Sequence, residues 1–205
     1  FDHRAYRELG ECLPTYKPRV DMIGIGDAVI AKAGPNARPF RWITPHGKWQ
    51  IHSMFWDSWQ MLNMFRGGPV VWISEEDARA IGVKDNDWVE VFNENGIVVV
   101  RAVVSQTIPR DMAIMYHSSE RHVNVPFSKL AQEKGCSDLR GGNQNATTRI
   151  MMNPATMIGG YANWTYFLNY WGTSPSERDC VVFIRKMPLE PGKKKVIYQE
   201  KDLVR

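Results

Sequence analysis

The chain has 205 residues, 43% of them hydrophobic and 11% aromatic, so it can bury a core and is not a disordered tail. Its formal net charge is only +4, and the basic run at 193–195 near the C-terminus is typical of a solvated tail rather than a nucleic-acid-binding surface. The sequence contains no apolar run that approaches the roughly 20 residues of a membrane-spanning helix.

The three cysteines bear on metal sites and disulfides. Cys12, Cys136 and Cys180 are far apart and form no CxxC pattern, so the sequence predicts no self-contained zinc or iron–sulfur site. Their odd number provides no disulfide framework. The chain begins with Phe1 rather than methionine, which favours a processed chain or a piece of a longer one.

Three regions can be separated by composition. Residues 1–41 are rich in glycine and proline without a sustained period, and we expect an extended lead-in that packs on domains preceding this chain. Residues 42–187 are expected to form one folded domain that carries the binding loops. Residues 188–205 are expected to form a polar C-terminal tail.

The folded region has regular local signals from Pro69 onward. The run PVVWIS at 69–74 predicts a short strand. Ser74 is predicted to be the N-cap of a helix with Asp77 at its third position, and Gly82 is predicted to end that helix. Residues 84–105 alternate through Trp88, Val89, Val91 and Phe92, turn at Asn95-Gly96 and continue into a second run rich in β-branched residues, which predicts a β-hairpin. Further strands are predicted at 112–116 and 180–186.

Closely spaced short strands with a few short helices favour a mainly β fold. They fit a compact barrel better than a parallel sheet with crossover helices, and we expect a six-stranded double-psi-type β-barrel. Four aromatic and methionine side chains after residue 54 are predicted to pack rather than to bind a ligand: Trp56, Trp59, Met61 and Met64.

The segment 43–54 is the main candidate for a functional site. It contains His46 and His52, six residues apart, among four more hydrogen-bond donors: Thr44, Lys48, Trp49 and Ser53. The two histidines could be metal ligands, or they could belong to an ordinary loop. The concentration of donors and flat rings also suits a large, polar, heteroaromatic ligand that carries phosphate.

With these elements in order, the sequence resembles the C-terminal part of the catalytic subunit of molybdenum enzymes of the dimethyl sulfoxide reductase family. The likeness is greatest to the α subunits of respiratory nitrate reductases and nitrite oxidoreductases. The segments that carry it are CLPTYKP at 12–18, TPHGKWQIHS at 44–53, RGGPVVWIS at 66–74, DNDWVEVFN at 85–93, RAVVSQ at 101–106, MYHSSER at 115–121, NATTR at 145–149, MIGGYA at 157–162 and LNYWGT at 168–173.

The resemblance implies a molybdopterin dinucleotide-binding barrel that closes over molybdenum bis(molybdopterin guanine dinucleotide). It implies that His46 and His52 hydrogen-bond a pterin system and tune its redox poise. The other cofactor contacts that it implies are Thr44, Lys48, Trp49, Ser53, His117, Ser118, Asn145, Thr148 and Asn169. No residue of this chain is expected to be catalytic or to bind the metal directly.

The implied activity of the whole enzyme is the interconversion of nitrate and nitrite by oxygen-atom transfer. The implied partners are the rest of the catalytic subunit, an iron–sulfur β subunit and a haem or membrane-anchor subunit. An iron–sulfur cluster and the metal-ligating residue are expected only upstream of this chain. The implied complex is membrane-associated, on the cytoplasmic or the periplasmic side.

Two alternatives remain open at the level of sequence. A sister enzyme with the same cofactor domain could act on chlorate, perchlorate, selenate or a hydrocarbon. A free-standing double-psi barrel could also be a binding or assembly module without redox activity, because this fold supports unrelated functions.

Overall fold

The computed structural model describes residues 33–56, 58–64, 69–118, 126–134, 142–152, 159–162 and 180–189. The elements in chain order are β1 (Arg38–Ile43), α1 (Trp59–Met64), β2 (Val70–Ser74), α2 (Glu75–Ala80), β3 (Trp88–Phe92), β4 (Ile97–Ser105), β5 (Met112–Ile114), α3 (Lys129–Glu133), a 3₁₀ helix (Gln144–Thr147), β6 (Arg149–Met152), β7 (Gly159–Ala162) and β8 (Cys180–Lys186). No helix in these ranges is long and apolar enough to cross a lipid bilayer.

Six strands form a closed barrel in the order β1-β5-β2-β4-β3-β8, and pairing of β8 with β1 closes it. The β1–β5 and β2–β4 neighbours are parallel, and the other four pairs are antiparallel. The expected mainly β fold with a six-stranded double-psi barrel is confirmed. β6 and β7 form a separate two-stranded antiparallel sheet that the local sequence signals did not predict.

The barrel interior is filled by alternate side chains of its strands. Val89 and Val91 of β3 and Val98 and Val100 of β4 belong to the central cluster of buried residues. This alternation is the period of two that a strand imposes on side-chain direction. β2, β3, β4 and β8 contribute valine and isoleucine to this cluster, whereas β1 contributes Phe40 and Trp42 and β5 contributes Ala113. Burial of these apolar side chains stabilises the barrel.

The outer face of the β3–β4 hairpin is buried as well. Phe92, Ile97 and Val99 pack there with Ala131 of α3 and Phe183 of β8 in a second cluster. Helix α3 therefore covers one wall of the barrel, which explains why β4 is buried on both faces along its first half.

The local signals of the helix and the hairpin are confirmed. The Ser74 hydroxyl accepts a hydrogen bond from the Asp77 backbone N–H at 3.1 Å, as an N-cap does, and Gly82 follows the helix with a φ of +68°. Phe92 pairs with Ile97 across the turn that contains Asn95. The other predicted strands correspond to β2, β5 and β8, although β5 ends at Ile114, two residues before the predicted end.

The beginning of the barrel differs from the expected boundary at residue 42. β1 starts at Arg38, so residues 38–41 belong to the barrel and not to the lead-in. Phe40 and Trp42 are buried in the central cluster, and Arg41 between them is exposed. This period-two pattern was present in the sequence but spans only a few residues after two prolines.

Strand directions place three connections at one end of the barrel. β1 and β5 end there, at Ile43 and Ile114, and the β3–β4 turn at 93–96 lies at the same end. The segments that follow β1 and β5 contain the candidate residues at 44–53 and 117–118. The register of the barrel thus brings sequence-distant loops to one surface.

Candidate functional site

Three histidines form a cluster at this end of the barrel. The ring centroids are 5.6 Å apart for His46 and His52, 4.2 Å for His46 and His117, and 5.4 Å for His52 and His117. All three contacts are edge-to-face. One nitrogen from each ring lies within 4.8 Å of the others, so the cluster could hold a metal ion or contact one ligand together.

The parallel pairing of β1 and β5 creates this cluster. It continues past both strands, because the Met115 N–H donates to the Ile43 carbonyl and the His117 N–H donates to the Pro45 carbonyl, both at 3.0 Å. His46 and His117 are therefore neighbours in an extension of the barrel wall, although 71 positions separate them in sequence (117 minus 46).

His52 enters the cluster from a tight turn. Ile51 and Met54 form an isolated bridge in which the Met54 N–H donates to the Ile51 carbonyl at 2.9 Å. His52 has a φ of 51°, in the left-handed region that a non-glycine residue adopts at an energetic cost. Ser118, next to the third histidine, has a φ of 62°. Backbone of this kind is concentrated at binding sites, where the surrounding structure enforces it.

His117 is the most enclosed member of the cluster. Its Nδ1 lies 2.5 Å from the Ser118 hydroxyl oxygen, and its buried Nε2 has no hydrogen-bond partner within the described structure. Burial of the ring, followed by the positive charge that His46 and His52 can carry, holds the pKa of His117 below its usual 6.5. The imidazole is thus neutral near pH 7, with one ring nitrogen directed away from Ser118.

Lys48, Trp49 and Ser53 complete the exposed surface of the loop. The Lys48 ammonium lies 4.6 Å from the centroid of the Trp49 ring, and all three side chains are accessible to solvent. Thr44 is half-buried where the loop leaves β1. Residues 44–53 and 115–118 contain no carboxylate, so the described surface combines neutral donors with one lysine.

Gln50 belongs to this loop but was not predicted as a site residue. Its side-chain amide is buried, and neither the nitrogen nor the oxygen has a partner within the described structure. A Cβ at Gly47 would lie 2.0 Å from the Gln50 Nε2, so glycine leaves the space that the amide occupies. A buried, unpaired amide next to the histidines is what a polar ligand would satisfy. Its burial had no signal in the sequence.

Asn145 and Thr148 lie in a second structure at the same end of the barrel. The 3₁₀ turn is held against the β3–β4 hairpin, because the Asn93 amide donates to the Thr147 carbonyl at 2.7 Å. Within the turn, the Thr148 hydroxyl donates to the Asn145 carbonyl at 3.0 Å, and the Asn145 side-chain oxygen accepts from Gln144 at 3.4 Å. The structure thus brings these two candidates together in a turn of their own, apart in sequence from the histidine loops.

Other candidates have different outcomes. Asn169 lies outside the described residues. Trp56 and Met61 pack in a small cluster with Trp72 and Tyr116, as predicted. The packing prediction is wrong for Trp59 and Met64 within this chain, because they are 74% and 51% exposed. Within α1 those two side chains are exposed while Met61 is buried, a difference that a count of apolar residues does not show.

The residues present suit a ligand that is flat, rich in hydrogen-bonding atoms and negatively charged. Imidazole, indole and amide groups match the edges and faces of heterocycles, and Lys48 with neutral donors matches a phosphate-bearing group. The unpaired Gln50 amide and His117 Nε2 are the observations that support such a fit.

Comparison with known proteins gives a consistent result. The family described as "Molydopterin dinucleotide binding domain" matches residues 40–165. The chain is 47% identical over 187 residues to respiratory nitrate reductase 1 alpha chain of Escherichia coli (strain K12), which covers 91% of this chain and 14% of the relative. It is 31% identical to perchlorate reductase subunit alpha of Dechloromonas aromatica (strain RCB), over 90% of this chain and 17% of the relative.

A similar fold occurs among solved structures. Acetylene hydratase from Pelobacter acetylenicus superimposes with a TM-score of 0.54 and 15% identity, covering 88% of this chain and 22% of that chain. At this identity the likeness concerns the fold alone. The chain spans about a seventh of the length of the nitrate reductase relative.

Proposed function

This chain belongs to the molydopterin dinucleotide binding domain family, and we propose that it holds molybdenum bis(molybdopterin guanine dinucleotide) in a larger catalytic subunit that interconverts nitrate and nitrite. The observation that carries the substrate assignment is the high identity to nitrate reductase alpha chains over almost the whole chain. Identity to these nitrate reductase chains ranges from 33% to 47%, and identity to the perchlorate reductase chain is 31%.

We assign the pterin contacts to the histidine cluster. His46 and His52 are exposed, so their ring nitrogens are available to hydrogen-bond a heterocycle above the barrel end. His117 contributes a neutral ring whose Nε2 is free to donate or accept. A positioned imidazole next to a redox-active ring also shifts its potential, since it favours one charge state over another.

We assign polar and charged parts of the dinucleotide to the rest of the surface. Lys48 is the cation of the loop and would offset phosphate charge, with Thr44, Trp49 and Ser53 as neutral donors. Ser118 orients His117. Asn145 and Thr148, together with Asn169, are proposed to contact the nucleotide end of the cofactor.

The chemistry requires components outside this chain. When bound, the molybdenum cofactor supplies oxygen-atom transfer: nitrate, two electrons and two protons give nitrite and water, and the reverse reaction takes its oxygen from water. This chain would bind the cofactor, restrict water around it and tune its potential. A metal-ligating residue, an iron–sulfur cluster, an electron-carrying iron–sulfur subunit and a haem or membrane-anchor subunit are proposed to belong to the rest of the enzyme.

The test of this proposal uses the native enzyme that contains this chain. We expect molybdenum by elemental analysis, release of guanine nucleotide on acid hydrolysis, and faster dye-linked turnover of nitrate or nitrite than of perchlorate, chlorate or selenate. Absence of both molybdenum and guanine nucleotide would favour a barrel module without redox activity. Their presence with preferred turnover of perchlorate would move the chain to a sister enzyme.

If His46 and His52 contact the pterin, replacing them should change the properties of the cofactor but not the stability of the chain. His46→Gln and His52→Gln in the native enzyme should shift the molybdenum reduction potential or lower turnover about tenfold or more, because contacts to the pterin are lost. Since both side chains are exposed, the free energy of unfolding of the chain should change by no more than about 0.5 kcal/mol. Unchanged potential and turnover with lowered stability would contradict the assignment.

A further inference from the structure

The histidine cluster has a property that cofactor contact does not require. Three imidazole rings lie together, and one nitrogen from each ring is within 4.8 Å of the nitrogens of the other two. The segments 44–53 and 115–118, which contain these histidines, have no carboxylate. Protein sites for zinc and similar ions are commonly built from three histidines and one open position. The cluster therefore combines the ligand type and the ligand number of a known class of metal site.

The distances are compatible with metal binding after a small movement. Zn–N bonds of about 2.0–2.1 Å in tetrahedral geometry place neighbouring nitrogens about 3.3 Å apart. The widest pair in the cluster would have to close by at most about 1.5 Å from its limit of 4.8 Å. His46 and His52 are on the exposed side of the cluster, so rotation of their side chains meets little resistance.

His117 is arranged as a metal-binding histidine would be. Its Nδ1 is engaged with the Ser118 hydroxyl at 2.5 Å, which leaves Nε2 as the free nitrogen. That Nε2 is buried and has no partner within the described structure, and the His117 ring contacts both other rings. A hydrogen bond to the second ring nitrogen commonly orients histidine ligands in metal sites.

We propose that His46, His52 and His117 bind a divalent transition-metal ion such as Zn²⁺ when the chain is without its dinucleotide. The fourth coordination position is open to water. This site goes beyond the proposed function, because the ion occupies the place of the organic cofactor and must leave before the same ring nitrogens can contact a pterin. A metal-bound form stabilises the loops, since an ion that binds only the folded state shifts the folding equilibrium.

The experiment titrates the full cofactor-free chain with Zn²⁺ by calorimetry and with Co²⁺ by visible absorption. We expect one equivalent of metal and a tetrahedral Co²⁺ spectrum without thiolate charge transfer. His46→Gln, His52→Gln and His117→Gln should each weaken binding at least tenfold, and Ser118→Ala should weaken it about tenfold by releasing His117. Circular dichroism of each variant checks that the barrel is folded.

The two remaining histidines of the sequence provide matched controls. His3→Gln and His122→Gln should leave the affinity for Zn²⁺ unchanged within about twofold. The proposal is overturned if the folded chain binds no Zn²⁺, if the control variants lose binding, or if Co²⁺ shows thiolate ligation. In the molybdenum-loaded enzyme, Zn²⁺ should no longer bind at these residues. A chain that binds Zn²⁺ but proves to lack the dinucleotide in its native form would contradict only the proposed function.

Discussion

Gly96→Ala should displace the 3₁₀ turn and weaken retention of the guanine nucleotide without a direct change to any proposed contact. A Cβ at residue 96 would lie 2.2 Å from the backbone oxygen of Ala146, and a backbone atom cannot move aside as the end of a flexible side chain can. The turn carries Asn145 and precedes Thr148. We expect a loss of about 1–3 kcal/mol in the free energy of unfolding, the usual range for overpacking.

The measurement pairs urea unfolding of the chain with nucleotide content of the native enzyme. Gly82→Ala is the matched control, because a Cβ there meets nothing within 4 Å and its φ of +68° costs only about 1–2 kcal/mol of backbone strain. The control should lower stability to some extent but leave nucleotide content intact, since Gly82 follows α2 at the opposite end of the barrel. Full nucleotide retention in Gly96→Ala would show that this turn does not hold the cofactor.

Local signals predicted those parts of the fold that depend on neighbouring residues. The N-cap at Ser74, the helix stop at Gly82 and the turn that contains Asn95 are each decided within a few positions, by capping or turn chemistry. The closed barrel could also be predicted from the sequence, because many short strands and few helices are compatible with few architectures. These elements required no knowledge of long-range pairing.

Long-range pairing explains what the sequence could not predict. Residues 38–41 of β1 were assigned to the lead-in, since a six-residue strand after Pro35 has too short a pattern to stand out. The meeting of His46 with His117 depends on the parallel register of β1 and β5, which no local motif encodes. The individual histidines were therefore predictable as candidates, whereas their arrangement as a cluster was not.

The burial of polar side chains could not be predicted from the sequence either. Gln50 occurs in a polar loop and Glu90 alternates with valines, and both patterns are typical of side chains that face solvent. The structure buries Gln50 beside Gly47, and it buries Glu90 because α3 covers the outer face of β3. A second layer over a barrel wall is a tertiary feature, and it converts an apparently exposed carboxylate into part of the interior.

Glu90 should consequently be among the most sensitive polar positions of the described barrel. Its side chain is 1% exposed, with one oxygen accepting from the Ser128 hydroxyl and the other from the Arg185 Nε, both at 2.6 Å. Ser128 is also the N-cap of α3, since its hydroxyl oxygen accepts from the Ala131 N–H at 2.9 Å. The carboxylate thus links β3 to β8 and to the start of the covering helix.

Glu90→Ala should lower the free energy of unfolding by about 3 kcal/mol, because it removes the partner of the partly buried Arg185 guanidinium and the anchor of α3. Glu90→Gln should lower the free energy of unfolding less, since the amide oxygen still accepts from the Ser128 hydroxyl. The double change Glu90→Leu with Arg185→Met should recover part of the stability lost in Glu90→Ala, because apolar contacts replace the ion pair. Urea unfolding measures all three, with Glu94→Ala on the exposed hairpin turn as the control, for which a change within about 0.5 kcal/mol is expected. If Glu90→Ala matched that control, the ion pair would not be what holds α3 against the barrel.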